Sequence, residues 1–307
     1  MISCIICSKD KDRLATISAN IAQTIGVPYE LIAIDNANGE YGICAAYNSG
    51  AAKANYEFIC FLHEDILFRT EAWGINGIQH FASDPALGVI GVAGSTVKTK
   101  SLSSWWQPRI ETYEPKRENI IQQYKFKEGA ENHIFLNPHN ETLSEVVTLD
   151  GVFLFTKKTI WSEFNFDEQL LKGFHCYDLD FTLQVRTKYK IAVVFDILLE
   201  HFSEGATSKN YFIDLIAVHY KHAHTFPVLL DLPNDRKFYF HELIVLLKVC
   251  NWMNILGVPK RTIGAYLLSL PAYFLYPLKK IAWLVIFPFK KWKAVFNSDD
   301  TEKDNKS

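Results

Sequence analysis

A chain of 307 residues accommodates one large α/β domain with an appendage, and a domain of that size buries a full core. Hydrophobic residues make up 49% and charged residues 21%, which is ordinary for a globular protein, and a net charge of -2 argues against a whole-chain nucleic-acid binder. The mean hides an asymmetry: Gly257 to Phe296 holds Lys260, Arg261, Lys279, Lys280, Lys290, Lys291 and Lys293 and no acid, among aromatic residues and Leu.

In chain order, residues 2–7 form an apolar strand ended by SKDKD, and Leu14, Ile17, Ile21 and Ile25 fall at helical spacing over 10–25. YELIAID (29–35) predicts a second strand before the turn-rich NANGEYG. ICAAYNSGAAKA is helix-permissive, and YEFICFL (56–62) is a third buried strand that stops at His63, Glu64 and Asp65. This alternation predicts an α/β fold with a mostly parallel central sheet and helices on both faces. Ligands of such sheets bind beyond the carboxyl ends of the strands, which directs attention to Cys7 and Ser8, Asp35 and Asn36, and His63 to Asp65. ALGVIGVAGS (86–95) is a fourth strand; residues 96–145 then lose any clear period and carry Trp105 and Trp106, as lids and binding loops do. VVTLDGVFLFTKK (146–158) is strand-like again, YDLDFTLQVRTKYK (177–190) is a helix with acids in its first turn, and IAVVFDILLEH (191–201) is a buried strand ending in a histidine. Two helices follow, over 208–224 and 238–255.

The six cysteines, Cys4, Cys7, Cys44, Cys60, Cys176 and Cys250, lie in apolar sequence and read as reduced, buried side chains. Cys4 and Cys7 form a CxxC inside a strand, where positions i and i+3 point to opposite faces, so no shared metal or redox disulfide is expected. MISCIICSKD has no basic leader region and too short an apolar run for a signal peptide, which implies a cytoplasmic protein.

Three places stand out chemically: Asp65 after a strand, Asp178 with Asp180 at a helix start, and His201 after a later strand. Singly, an acid at a helix N-terminus serves the helix dipole and a lone histidine is a solvated side chain. Placed together on one rim, a carboxylate and an imidazole can hold a divalent cation whose other positions take water and a diphosphate, and the imidazole favours Mn²⁺ over Mg²⁺. Neither a G-x-x-x-x-G-K-[ST] loop nor a G-x-G-x-x-G follows the first strand, so a nucleotide is gripped by metal and strand-end residues.

The ordered set ISCIICSKD, LIAIDNANG, AAYNSGAAKANYEFICFLHEDI and GFHCYDLDFTLQVRTKYKIAVVFDILLEH resembles glycosyltransferase family 2, in particular its bacterial family 2-like branch, over most of residues 1–205. The resemblance implies the GT-A fold and an inverting, metal-dependent, hexosyltransferase-like enzyme that uses a nucleotide-diphosphate sugar, expected to be a UDP-sugar. It assigns nucleotide contacts to Cys7, Ser8, Asp35 and Asn48, metal contacts to Asp65 and His201, and the general base to Asp178. The sequence departs from the family pattern twice: His63 stands at the first position of D-x-D, and Tyr177 where an acid precedes the base. The first departure leaves His63 as a metal ligand, a ribose contact or a shaper of the turn. On a strand-like exit Glu64 points away from His63 and Asp65, which makes it the weakest of the three. Asp178 and Asp180 diverge by roughly 200° around a helix, so one faces the acceptor and the other supports the helix end. Asp150, Gly151, Trp105, Trp106 and His175 are candidate sugar contacts, with core or lid packing the alternative for the tryptophans.

The resulting domain reading is a catalytic domain over 1–230, a helical connector over 231–256, a basic, aromatic membrane-associating segment over 257–296 and a disordered tail over 297–307. Lys279, Lys280, Pro271, Pro277 and Pro288 disfavour a single transmembrane helix, and lysines among aromatics suit peripheral attachment to an anionic inner membrane face. The expected role is extension of a cell-surface or lipid-linked glycan at that face. The alternatives are a sugar nucleotidyltransferase, although the usual glycine-rich basic loop is missing, and a non-catalytic glycan-binding protein with a degenerate site.

Overall fold

A computed structural model of the chain describes residues 1–105, 115–123, 132–203, 207–230 and 236–270. The chain divides into two compact units, Met1–Val258 and Pro259–Ser307.

The first unit begins with β1 (Ile2–Ser8), α1 (Lys11–Thr24), β2 (Tyr29–Asp35), α2 (Ile43–Lys53), β3 (Phe58–Leu62), β4 (Ile66–Phe68), α3 (Trp73–Ser83) and β5 (Leu87–Gly91). Next come β6 (Ala93–Ser95), β7 (Val97–Lys98), β8 (Lys116–Gln122), β9 (Asn132–Leu136), β10 (Leu143–Val146), β11 (Thr148–Leu149) and β12 (Phe153–Lys157). It ends with α4 (Lys158–Glu163), α5 (Tyr177–Val185), β13 (Lys190–Val194), β14 (Leu199–His201), α6 (Lys209–His222), β15 (Val228–Leu229) and α7 (Arg236–Ile255).

The main sheet has the order β10-β13-β5-β12-β3-β1-β2; β1, β2, β3, β5 and β13 run one way, and β10 and β12 run against them. Alternation along β1 sets its two faces. Ile2, Cys4 and Ile6 join Ile17 and Ile21 of α1 and Trp73 and Phe81 of α3 in one buried cluster. Ile5 faces the other way, towards α2, where Gly50 lets the helix sit so close that an added Cβ would lie 2.4 Å from the Ile5 side chain. On that face Phe61 packs on Tyr47 of α2, on Phe166 and on Phe181 of α5. Helices therefore cover both faces, and Cys4 and Cys7 are separate free thiols.

A second sheet, β11-β6-β8-β14-β4 with β9 beside β8, lies beyond the strand ends of the first and is largely built from 96–145 and its neighbours. It explains why three predicted strands are each two. The segment 86–95 crosses from β5 to β6 at Val92, 146–158 turns at Asp150 to Val152 between β11 and β12, and 191–201 breaks between β13 and β14. At the last break the Asn119 amide donates to the carbonyls of Phe195 and Ile197, at 2.9 and 3.0 Å. Continuous apolar runs hid these crossings because both sheets bury their strands. The helix expected over 177–190 stops at Val185.

In the second unit the described structure is α8 (Lys260–Ser269), and residues 271–307 lie outside the described residues, with most of the expected membrane segment and the whole disordered tail. No helix among the described residues is long and apolar enough to cross a membrane.

Candidate active site

The site forms where the main sheet hands the chain to the second. β3 ends at Leu62, residues 63–65 leave the sheet, and β4 pairs antiparallel with β14 so that His201 lies opposite Ile66. The Phe202 N–H donates to the Asp65 carbonyl at 2.9 Å, fixing the two segments side by side. Residues 136 positions apart in sequence, Asp65 and His201, are thus neighbours: His201 Nε2 is 3.7 Å from Asp65 Oδ1.

His63 completes a cluster in which one donor atom from each of His63, Asp65 and His201 lies within 4.8 Å of the others. His63 Nδ1 is 3.8 Å from the same Asp65 oxygen. Burial alone would raise the Asp65 carboxyl, but the imidazole of His63, the Ser203 hydroxyl and the imidazole of His201 outweigh it and hold it below its usual range. Burial, and then the neighbouring His63, push His201 down to about 4, so its imidazole is neutral at neutral pH. Its Nδ1 is 3.1 Å from the Gln122 carbonyl oxygen, which can only accept, so the proton is on Nδ1 and Nε2 offers its lone pair. The two imidazole–carboxylate separations, 3.7 and 3.8 Å, lie between the ~3.0 Å and ~4.2 Å expected for adjacent and opposite ligands around a cation with ~2.1 Å bonds. The donor set of two imidazoles and a carboxylate fits a divalent transition-metal ion.

A second cluster adjoins the first. The turn between β11 and β12 brings Asp150 and Gly151 to the start of α5. The Gly151 N–H donates to Asp178 Oδ2 at 3.1 Å, and the Leu179 N–H donates to Asp178 Oδ1 at 2.8 Å. Burial pushes Asp178 up to about 6 despite these donors, and burial together with the nearby Asp178 charge pushes Asp150 to about 6. The clusters are linked through Tyr177, whose hydroxyl is 2.7 Å from His63 Nε2 and 3.0 Å from the Gly151 carbonyl oxygen.

The profile of the Glycosyltransferase like family matches residues 2–210. The chain belongs to that family. It shares the GT-A fold with solved glycosyltransferases, as its family 2-like sequence pattern led one to expect. S. aureus TarS aligns with a TM-score of 0.51 at 14% identity, over 92% of this chain and 52% of TarS, so this chain spans about half the length of that protein. A 1–349 fragment of TarS in complex with UDP-GlcNAc aligns with a TM-score of 0.51 at 14% identity, over 92% of this chain and 87% of the fragment. The mannosyltransferase PcManGT from Pyrobaculum calidifontis, in complex with GDP-Man and Mn²⁺, aligns with a TM-score of 0.50 at 13% identity, over 98% of this chain and 88% of that one. No curated protein matches by sequence.

In this glycosyltransferase-family chain the remaining candidates divide by what their side chains touch. Ser8 ends β1 and donates to Glu64 Oε2 at 2.8 Å; the same oxygen takes the Lys9 and Asp10 N–H groups at 3.0 and 3.1 Å. Glu64 thus points away from Asp65 and ties down the loop after β1. Cys7 is buried beside the Asn36 amide, and Asp35 is exposed at the end of β2, its carboxylate accepting the Ala37 N–H. Asn48 has its whole amide engaged: it accepts from the Trp161 indole and the Phe166 N–H, and donates to the Phe166 carbonyl and Glu168. It holds α2 to the segment before α5 and has no side-chain hydrogen bond left for a nucleotide. His175 packs edge-on against Tyr211, and burial lowers its imidazole. The Trp105 carbonyl accepts from Thr148, and Trp106 lies outside the described residues.

Asp180 turns from Asp178 into the interior, 1% exposed, where it pairs with Lys221 at 2.9 Å and His222 at 2.8 Å on α6. Of the two helix acids it is the scaffold one. Sequence reasoning missed Arg13, whose guanidinium is 3.6 Å from Asp65, and Gln122, which sits in the stretch with no readable period. Arg13 carried a weak signal, as a cation in the first turn of a helix, where acids are favoured. Asp180→Ala removes the acceptor shared by the half-buried Lys221, which keeps Asp167, and the buried His222, so chemical denaturation should show a loss of about 1.5–3 kcal/mol. A loss below about 1 kcal/mol, the range of exposed pairs, would contradict this role.

Proposed function

We propose that the protein is an inverting glycosyltransferase that moves a sugar from a nucleotide-diphosphate donor to a hydroxyl acceptor, with Asp65 and His201 holding Mn²⁺ or Mg²⁺ and Asp178 as the general base. The observation that carries this reading is the joining of the Asp65–His201 cluster to the Asp178 carboxylate on one rim, through hydrogen bonds of 2.7, 3.0 and 3.1 Å across Tyr177 and Gly151. Membership of the family supports a transferase, and the UDP-GlcNAc and GDP-Man complexes of its fold neighbours support a nucleotide-sugar donor.

The metal, when bound, supplies charge stabilisation for the leaving diphosphate. Arg13, beside Asp65 at the first turn of α1, adds a cation on the same side. The acceptor oxygen attacks the anomeric carbon as the bond from that carbon to the diphosphate oxygen breaks, and the hydroxyl proton passes to Asp178. Each Asp178 oxygen already takes one backbone N–H and keeps a lone pair for the acceptor. A carboxyl raised to about 6 is a better base than an exposed one and is still ionised at neutral pH. Single displacement without an enzyme nucleophile inverts the anomeric centre.

The basic and aromatic 257–296 segment is proposed to attach the enzyme peripherally to an anionic membrane face, where the acceptor glycan or lipid-linked glycan is extended. Removing 259–307 should then shift the protein from the membrane to the soluble fraction; unchanged membrane recovery contradicts the attachment.

The base assignment makes a combined prediction. Asp178 works only when deprotonated, so kcat/KM should fall about tenfold per pH unit below about 6 and level off above it. Asp178→Asn should lower transfer by at least about 100-fold while its amide oxygen still accepts from Gly151. A carboxyl raised in the folded state stabilises below its unfolded pKa and loses that contribution as pH rises through about 6, so the variant should match or exceed the parent Tm above that pH. Full activity in Asp178→Asn would overturn the assignment.

A further inference from the structure

The two positions at which the sequence departs from the D-x-D and E-D-x-D patterns, His63 and Tyr177, are in direct contact. Their geometry also fixes where the protons lie. The Tyr177 hydroxyl has one proton, and the Gly151 carbonyl oxygen, 3.0 Å away, can only accept it. Towards His63 Nε2, at 2.7 Å, the same oxygen must therefore accept, which places the imidazole proton on Nε2 and the lone pair on Nδ1. That Nδ1 has no hydrogen-bond partner among the described residues; Asp65 Oδ1 lies 3.8 Å away, too far for a hydrogen bond.

We propose that Tyr177 is a positioning residue that holds His63 in the Nε2–H tautomer, so that Nδ1 enters the cation's shell as a third protein ligand beside Asp65 and His201. This rests on the reading of Asp65 and His201 as a metal pair. It gives the two imidazoles a similar construction: each has its outer N–H tied to a neutral acceptor, Gln122 for His201 and Tyr177 for His63, and each sets its other nitrogen 3.7–3.8 Å from one carboxylate oxygen, that of His201 also meeting the Ser203 hydroxyl at 3.2 Å. A phenol suits this role because it orients the ring without adding the negative charge that would favour an imidazolium. Gly151 belongs to the same device. A Cβ at that position would lie 2.2 Å from the Tyr177 oxygen, so only glycine leaves room for the phenol between the turn and His63.

The consequence is metal choice. Two imidazoles and one carboxylate form a softer set, with one negative charge, than the two carboxylates of a D-x-D, and such a set favours Mn²⁺ over Mg²⁺. His63→Asp should narrow the preference for Mn²⁺ over Mg²⁺ in direct binding.

The test is pulsed EPR of Mn²⁺ alone, at millimolar concentration, bound to the full chain. Two directly coordinated imidazole nitrogens are expected in the parent and one in His63→Gln, while Tyr177→Phe should weaken Mn²⁺ binding about 10–100-fold with the thermal transition retained. One coordinated imidazole in the parent, lost on replacing His201, would overturn the role of His63 and leave the Asp65–His201 pair standing. Absence of any bound Mn²⁺ would sink the metal reading itself. Should His63→Gln fail to fold, long-range ¹H–¹⁵N spectra of the metal-free parent decide the matter: a proton on His63 Nδ1 overturns the proposal, and one on Nε2 supports it.

Discussion

The antiparallel pairing of β4 with β14 is the constraint on which the site depends. It closes a second sheet across the carboxyl ends of the first and sets His201 against Ile66, one residue from Asp65. Neither strand exceeds three residues, and neither has the length to be stable alone. β8 supplies the missing support by pairing in parallel with β14, with Gln122 opposite His201, and Arg69 of the loop after β4 binds Glu200 across the pair. The strand that positions His201 therefore also brings the side chain that sets its tautomer.

A site built this way is costly to the fold. Burial pushes both Asp150 and Asp178 to about 6, with the Asp178 charge adding to the rise at Asp150, which places two buried acids at the rim under neutral conditions. The scaffold around them offsets this. Asp180, one helical turn's start away, is fully paired with Lys221 and His222, and Asn48 pins the approach to α5. Groups left strained and groups fully satisfied thus lie on opposite sides of α5: Asp178 faces the rim and Asp180 the interior. This is the pattern expected when stability is surrendered only at the chemistry.

Much of this was legible before any coordinates. Apolar runs bounded by turns predicted β1, β2 and β3, the spacing of Leu14, Ile17 and Ile21 predicted α1, and the strand ends directed attention to His63 to Asp65 and to His201. The second sheet was not legible, because its strands are short and lie either in the continuation of longer apolar runs or in a stretch without period. For the same reason the partners of the flagged residues were hidden. Gln122 and Ser203 carry no local pattern, Arg13 carries only a weak one, and the bond between His63 and Tyr177 joins positions 114 apart. Alternation alone separates Glu64 from its neighbours, yet its three donors at the end of β1 could be seen only in the fold.

The central claim, a nucleotide diphosphate held through a cation on Asp65, is tested most directly by calorimetric titration of UDP with and without Mn²⁺, in the parent and in Asp65→Ala. Mn²⁺ should tighten UDP binding to the parent by at least about tenfold, or 1.4 kcal/mol, and leave the variant unaffected. An equal Mn²⁺ effect in both proteins, or UDP binding to the parent that ignores Mn²⁺, would contradict it.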